Sequence, residues 1–143
     1  MRAVLDTAAL VSAIRSESGA AAEIVRWALL GKLTLLLDYK LACEYRDVVL
    51  RPEHTRASNK TAREAEEVID ALEAIAFPVL VEVKHLPLSR DEDDDMVLDV
   101  AINGGADVVI TNNVKDFSPA AAGFGIKILT PGEFLAELRE GGF

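Results

Sequence analysis

Apolar positions along this chain fall into two alternating patterns. Short apolar runs occur at Arg2-Ala3-Val4-Leu5, Leu33 to Leu37, Val79 to Val83, Asp107 to Thr111 (Val108, Val109 and Ile110 at its centre) and Ile126 to Leu129. Each is of strand length and lacks the strict alternation of a half-solvated sheet, so each reads as a strand covered on both faces. Between them apolar residues recur at helical spacing. Leu10, Val11 and Ile14 form one such set, and Ile24, Trp27 and Ala28 the next, with Ser18 as a candidate cap and Gly31 as the stop. Asp38 can cap a helix carrying Leu41, Tyr45, Val48 and Val49 that ends before Pro52. Ala65, Val68, Ile69, Leu72 and Ile75 make the clearest amphipathic helix. A further helix opens in the acid run 91–95 and stops at Gly104-Gly105. Thr130-Pro131-Gly132-Glu133 reads as a capping box with Pro at the first helical position, ahead of Phe134, Leu135 and Leu138. Residues 51–63 read as a loop, and Gly123-Phe124-Gly125 as a turn.

Strands alternating with helices imply an α/β fold with a mostly parallel central sheet of about five strands, covered on both faces. The 143 residues suit one domain spanning 1–143. In such folds ligands bind beyond the carboxyl ends of the strands. Asp6 follows the first strand and Asn112-Asn113 follows the fourth.

Composition narrows the chemistry. The net charge of −9 excludes binding of a polyanion by bulk charge, so any such contact is local or metal-mediated. Cys43 is the only cysteine, which excludes an internal disulfide and a cysteine-based zinc site. Without a signal-like opening or a transmembrane-length apolar run, the expectation is a soluble cytoplasmic protein.

The acids are the candidate chemistry. Asp91-Glu92-Asp93-Asp94-Asp95 is a run of five like charges entering an apolar segment. Such a run points into water, complements a helix dipole, or surrounds a cation. At about 100° per residue, Asp94 falls about 60° from Val97, on the side of Leu98 and Ala101, whereas Asp95 and Asp99 face away. Asp94 is therefore the inward carboxylate, and Asp95 and Asp99 belong to solvent, a rim or a supporting role. Glu44 lies one turn from both Leu41 and Val48, at the edge of an apolar arc, where a carboxylate is costly without a partner. Asp6, Glu44 and Asp94 thus can converge at one end of the sheet, with Asn113 and Asp116 as sources of a fourth ligand. An oxygen-rich set of this kind suits Mg²⁺ or Mn²⁺. The plainer alternatives are a helix cap at Asp6, a Glu44–Arg46 rim pair, turn chemistry at Asn112-Asn113, and surface positions for His54 and His85.

These residues carry a resemblance. Val4-Leu5-Asp6-Thr7-Ala8-Ala9-Leu10 resembles the opening of PIN-domain ribonucleases, where an Asp follows the first strand; Ala8 stands where many members have Asn. Glu44-Tyr45-Arg46-Asp47-Val48-Val49-Leu50-Arg51-Pro52 is similar to the block that supplies a metal-binding Glu. Asp91 to Ala101 resembles the third block, pairing Asp94 with the small residue Ala101. Thr111-Asn112-Asn113-Val114-Lys115-Asp116-Phe117 resembles the fourth, with Asn113 at the ligand position. Thr130 to Leu135 is similar to the closing helix of bacterial toxin components. The resemblance implies a three-layer α/β/α fold and Mg²⁺- or Mn²⁺-dependent cleavage of RNA. It also implies a VapC-like toxin that dimerises and is inhibited by a cognate antitoxin protein.

The expected reaction is phosphodiester hydrolysis, with Asp6, Glu44 and Asp94 holding one or two ions and Thr7, Thr111 and Asn113 in support. Arg51, Arg56, Lys60 and Arg63, set against Glu53 alone, are the candidate RNA contacts. Ala8 and Asn113 leave open a catalytically weak or silent RNA- or protein-binding module on the same fold. A haloacid-dehalogenase-type phosphohydrolase needs a second Asp where Ala8 stands. A receiver domain needs a paired acid before Asp6, and none is present.

Overall fold

The computed structural model describes residues 1–82 and 92–141, the side chains of 92–94, 118–120 and 122 excepted. Strands β1 (Arg2–Leu5), β2 (Thr34–Leu37), β3 (Phe77–Pro78), β4 (Val108–Ile110) and β5 (Lys127–Leu129) form one parallel sheet in the order β3-β2-β1-β4-β5. Ala3 is in register with Leu35 on one side and Val108 on the other. The described helices are α1 (Thr7–Arg15), α2 (Ala20–Leu29), α3 (Tyr39–Val49), α4 (Pro52–Ala57), α5 (Ala62–Ile75), α6 (Glu92–Gly104), α7 (Val114–Ala122) and α8 (Pro131–Arg139).

Topology sets the layers. The chain steps from β1 to β2 to β3 in one direction, then returns past β1 to β4 and β5. Right-handed crossovers therefore put α1 to α5 on one face and α6 and α7 on the other. The packing agrees: α1, α2, α3 and α5 touch one another, while α6 lies on β1, β2 and β4 and meets α7. The result is the expected three-layer α/β/α arrangement. Val4, Leu5, Leu35, Leu36 and Val108 to Ile110 are all but inaccessible, as strands covered on both faces should be. The direction of winding reverses between β1 and β4, so the crevice at their carboxyl ends is the expected ligand site.

Caps and glycines fix the elements around that crevice. The Asp38 carboxylate accepts from the Leu41 N–H at 2.8 Å and starts α3. Thr130 and Glu133 form the capping box foreseen for α8. At Gly104 a Cβ would lie 2.8 Å from Leu36 Cδ1 and 2.9 Å from Val79 Cγ2, so glycine lets α6 close on β2. Gly105, at φ +66°, turns the chain out of the helix.

Three sequence expectations change. Residues 51–63 are not a single loop, because Pro52 opens the short helix α4, and Thr61 and Glu64 form a capping box for α5. Helix α4 buries no residue, so it left no apolar periodicity to read. The third strand is Phe77–Pro78 rather than 79–83. Val79 only donates its N–H to Leu37 O at 2.9 Å, and Val79 and Val81 pack on the core outside the ladder. Val83 lies outside the described residues. Pro78 is tolerated because β3 is an edge strand. Gly19, not Ser18, is the N-cap of α2, without a side-chain bond. Helix α7 occupies 114–122, a stretch to which the sequence reading assigned no element.

Candidate active site

The β1–β4 crevice is built from the first residues beyond each strand. Asp6 follows β1, is 7 % exposed, and receives the Thr111 hydroxyl on Oδ2 at 2.7 Å. Its backbone N–H continues the ladder to Ile110 O at 2.9 Å. Asp6 is formally the N-cap of α1, but its side chain makes no capping bond. The cap reading therefore does not account for its burial. Thr111 is fully buried; its Oγ1 also accepts the N–H of Asn113 at 3.0 Å. One hydroxyl thus ties the Asp6 carboxylate to the loop beyond β4.

Glu44 enters from α3. The Thr7 hydroxyl donates to Glu44 Oε2 at 2.6 Å, so the residue next to Asp6 in the β1–α1 turn holds the second carboxylate. Tyr45, next in α3, is completely buried and donates its hydroxyl to Leu5 O at the end of β1. Burial raises its pKa above the usual 10, and the negative charges of Asp6, Asp38 and Glu44 raise it further. Arg46, two residues after Glu44, turns to α5, where it binds Glu73 and, at 2.7 Å, Asp70. Those two bonds raise the Arg46 pKa.

Helix α6 supplies the third wall. Gly104 O accepts from Arg2 Nη1 at 2.8 Å, at the amino edge of the sheet. The helix therefore runs back, and its first turn stands at the carboxyl edge. Val97, Leu98, Val100 and Ala101 are buried on it, which confirms the inward face taken from the 100° rotation. Met96 shares an open depression of about 430 Å³ with Tyr39, Lys40, Cys43, Glu44 and Asp47. Asp95 and Asp99 are half-buried. The Asp94 side chain lies outside the described residues, so its expected inward position is neither met nor missed. Among the described residues no three His, Cys, Asp or Glu side chains form a metal-holding set.

A sequence model of the PIN domain matches residues 2–115. The chain belongs to the PIN domain family. The PIN domain also aligns with a chain from the crystal structure of VapBC2 from Rickettsia felis bound to a DNA fragment from their promoter. That match has a TM-score of 0.58 at 15 % identity, covers 90 % of this chain and 97 % of the other, and shows the shared fold. A search of curated proteins returned no match.

The remaining candidates of the PIN domain separate by position. Asn113 is exposed as the N-cap of α7, and its side chain makes no capping bond. Asn112 instead binds Ser12 Oγ at 2.9 Å and fastens the loop to α1. Asp116 is exposed in the first turn of α7. The basic stretch 51–63 lies beyond α3 and is largely neutralised. Arg51 faces Asp47 at 3.9 Å, Lys60 faces Glu17 at 2.7 Å, and Arg63 faces Glu67 at 3.6 Å. Only Arg56 of these four makes no ion pair with a described residue. His54 is half-buried rather than on the surface, with Nδ1 unbonded among the described groups; His85 lies outside them. The sequence reading had not singled out Tyr45, whose place one residue after Glu44 was the available signal.

Proposed function

We propose that this PIN domain is a Mg²⁺- or Mn²⁺-dependent ribonuclease, acting as the VapC-like toxin of a toxin–antitoxin pair. The observation that carries the reading is the Asp6–Glu44 pair. Two carboxylates are held at the topological switch point by neutral hydroxyls, Thr111 on Asp6 and Thr7 on Glu44. Asp6 is 7 % exposed, and a carboxylate at that depth is costly unless it is paired or hydrogen-bonded. The donors are all oxygen, which fits a hard divalent cation. Asp94 and Asn113 are the proposed additional ligands, with Asp116 as substitute.

In phosphodiester hydrolysis, water adds across one P–O bond, its oxygen ending on phosphorus and a proton on the leaving oxygen. A divalent ion, when bound, lowers the pKa of water and offsets charge on the phosphoryl oxygens. Asp6 and Glu44 bind that ion and fix its place; Thr111 and Thr7 hold each carboxylate in one rotamer. Tyr45 supplies no proton, because its hydroxyl is committed to Leu5 O and its pKa is raised.

The PIN domain match and the likeness to VapBC2 support the nuclease and toxin roles. A cognate antitoxin and a homodimer belong to the same proposal, as does a cytoplasmic site of action. No described helix is long and apolar enough to cross a membrane. Ala8 and Asn113 sustain the competing reading of a catalytically silent binding module. An RNA-cleavage assay with chelation and re-addition of Mn²⁺ decides between them. Cleavage that returns with Mn²⁺ and is lost in Asp6→Asn supports the nuclease; metal-independent or absent cleavage rejects it.

A further inference from the structure

The candidate RNA contacts of the 51–63 stretch are mostly spent on Asp47, Glu17 and Glu67. A strand of RNA has to be held elsewhere. Among the described cations without a carboxylate at ion-pair distance, Arg15 ends α1 and Lys32 precedes β2, both far from the carboxyl edge. Arg2 and Arg26 are bonded to backbone carbonyls, and Arg56 is on α4. Lys40 and Lys115 differ in place. Lys40 is the second residue of α3, which leaves β2; Lys115 is the second residue of α7, which leaves β4. Both are exposed. Strands β2 and β4 flank β1, so at about 4.8 Å per strand their ends stand about 10 Å apart with Asp6 between them.

Both lysines also break a local rule. A cation in the first turn of a helix opposes the dipole, where an acid is favoured. Bound phosphate would remove that conflict. Beside Lys40, Tyr39 is 83 % exposed. Its ring and Lys40 line the same depression as Glu44. An exposed ring beside a cation is the usual pairing for a stacked base and its phosphate.

We propose that single-stranded RNA crosses the carboxyl edge of the sheet from the Tyr39–Lys40 depression to Lys115. Its phosphates rest on Lys40 and Lys115, a base stacks on Tyr39, and the scissile phosphate lies over Asp6 and Glu44. This path rests on the nuclease reading and names the grip of that same site.

The test is binding of a labelled single-stranded oligoribonucleotide of mixed sequence to the Asp6→Asn protein, followed by anisotropy across a salt series. Binding needs no turnover, so a failure of cleavage and a failure of the path are read separately. Each phosphate contact on a single strand contributes about 0.7 to the slope of log affinity against log salt. Lys40→Ala with Lys115→Ala should flatten that slope by about 1.4. The charge-matched pair Arg51→Ala with Arg63→Ala should leave it unchanged. Tyr39→Ala should weaken binding about tenfold without changing the slope, and Tyr39→Phe should restore it. An unchanged slope in the double-lysine variant overturns the path, as does an absence of RNA binding at low salt. Lysine-dependent binding of a polyglutamate peptide, with RNA binding intact, would assign the edge to an acidic protein partner and equally overturn it.

Discussion

Helix α3 carries charge in two directions, and the two are handled differently. Arg46 reaches across to α5 and meets two carboxylates, Asp70 and Glu73, each contributing opposite charge. Two residues earlier, Glu44 turns toward α1 and is met by the neutral hydroxyl of Thr7. Asp6, at the end of β1, is met by the neutral hydroxyl of Thr111. The first arrangement is closed: protein cation and protein anions offset one another, and the network fastens α3 to α5. The second fixes the geometry of the carboxylates through the hydroxyls of Thr7 and Thr111. A hydroxyl orients an anion without neutralising it, which is what the proposed cation-binding role asks of it.

The comparison can be broken at four points. The largest effect is expected from Asp6→Asn or Glu44→Gln. Metal-dependent RNA cleavage should fall at least about 100-fold, the loss of several kcal/mol of charge stabilisation. Thermal unfolding should show the fold retained in Asp6→Asn, because Asn keeps an oxygen acceptor for the Thr111 hydroxyl. Thr111→Val or Thr7→Val comes next. Each removes the orienting bond and keeps the volume, and Mn²⁺ affinity by calorimetry should fall about 10- to 100-fold. Arg46→Ala should do the opposite, costing about 1 kcal/mol of stability in a denaturant titration while cleavage is unchanged. The smallest effect is at Tyr45→Phe, about 1 kcal/mol for the lost bond to Leu5 O. It has a pH signature. The folded pKa of Tyr45 lies above the usual 10, so its contribution is complete below pH 10 and declines as pH rises toward the folded value. In Tyr45→Phe that part of the alkaline loss of stability should vanish from pH-dependent unfolding curves.

How much of this was legible in the sequence depends on which interactions decide each element. Strands buried on both faces announce themselves as unbroken apolar runs, so β1, β2, β4 and β5 were readable to within a residue. Side-chain caps were readable where the residue type is diagnostic, at Asp38 and Thr130. The Thr61–Glu64 box carried the same signal inside a stretch taken for loop because α4 beside it buries nothing. Strand β3 was misplaced because its two residues are exposed, while the more apolar Val79 and Val81 pack from outside the ladder. At the site, position singled out Asp6 as a candidate, and the edge of an apolar arc singled out Glu44. The hydroxyl partners were less visible: Thr7 and Thr111 were named only as supporting residues. Their bonds to Glu44 and Asp6 span 37 and 105 positions and depend on the parallel register of the sheet. The basic stretch 51–63 showed the converse. Composition gave it a net positive charge, and pairing with Asp47, Glu17 and Glu67 removed most of it.

Calorimetric titration of Mn²⁺ into the wild-type, Asp6→Asn and Arg46→Ala proteins decides whether Asp6 and Glu44 form the proposed cation-binding centre. Saturable binding is expected in the wild type and in Arg46→Ala, and its loss in Asp6→Asn with the fold intact by circular dichroism. Equal Mn²⁺ binding by the wild type and Asp6→Asn, or none by the folded wild type, would contradict it.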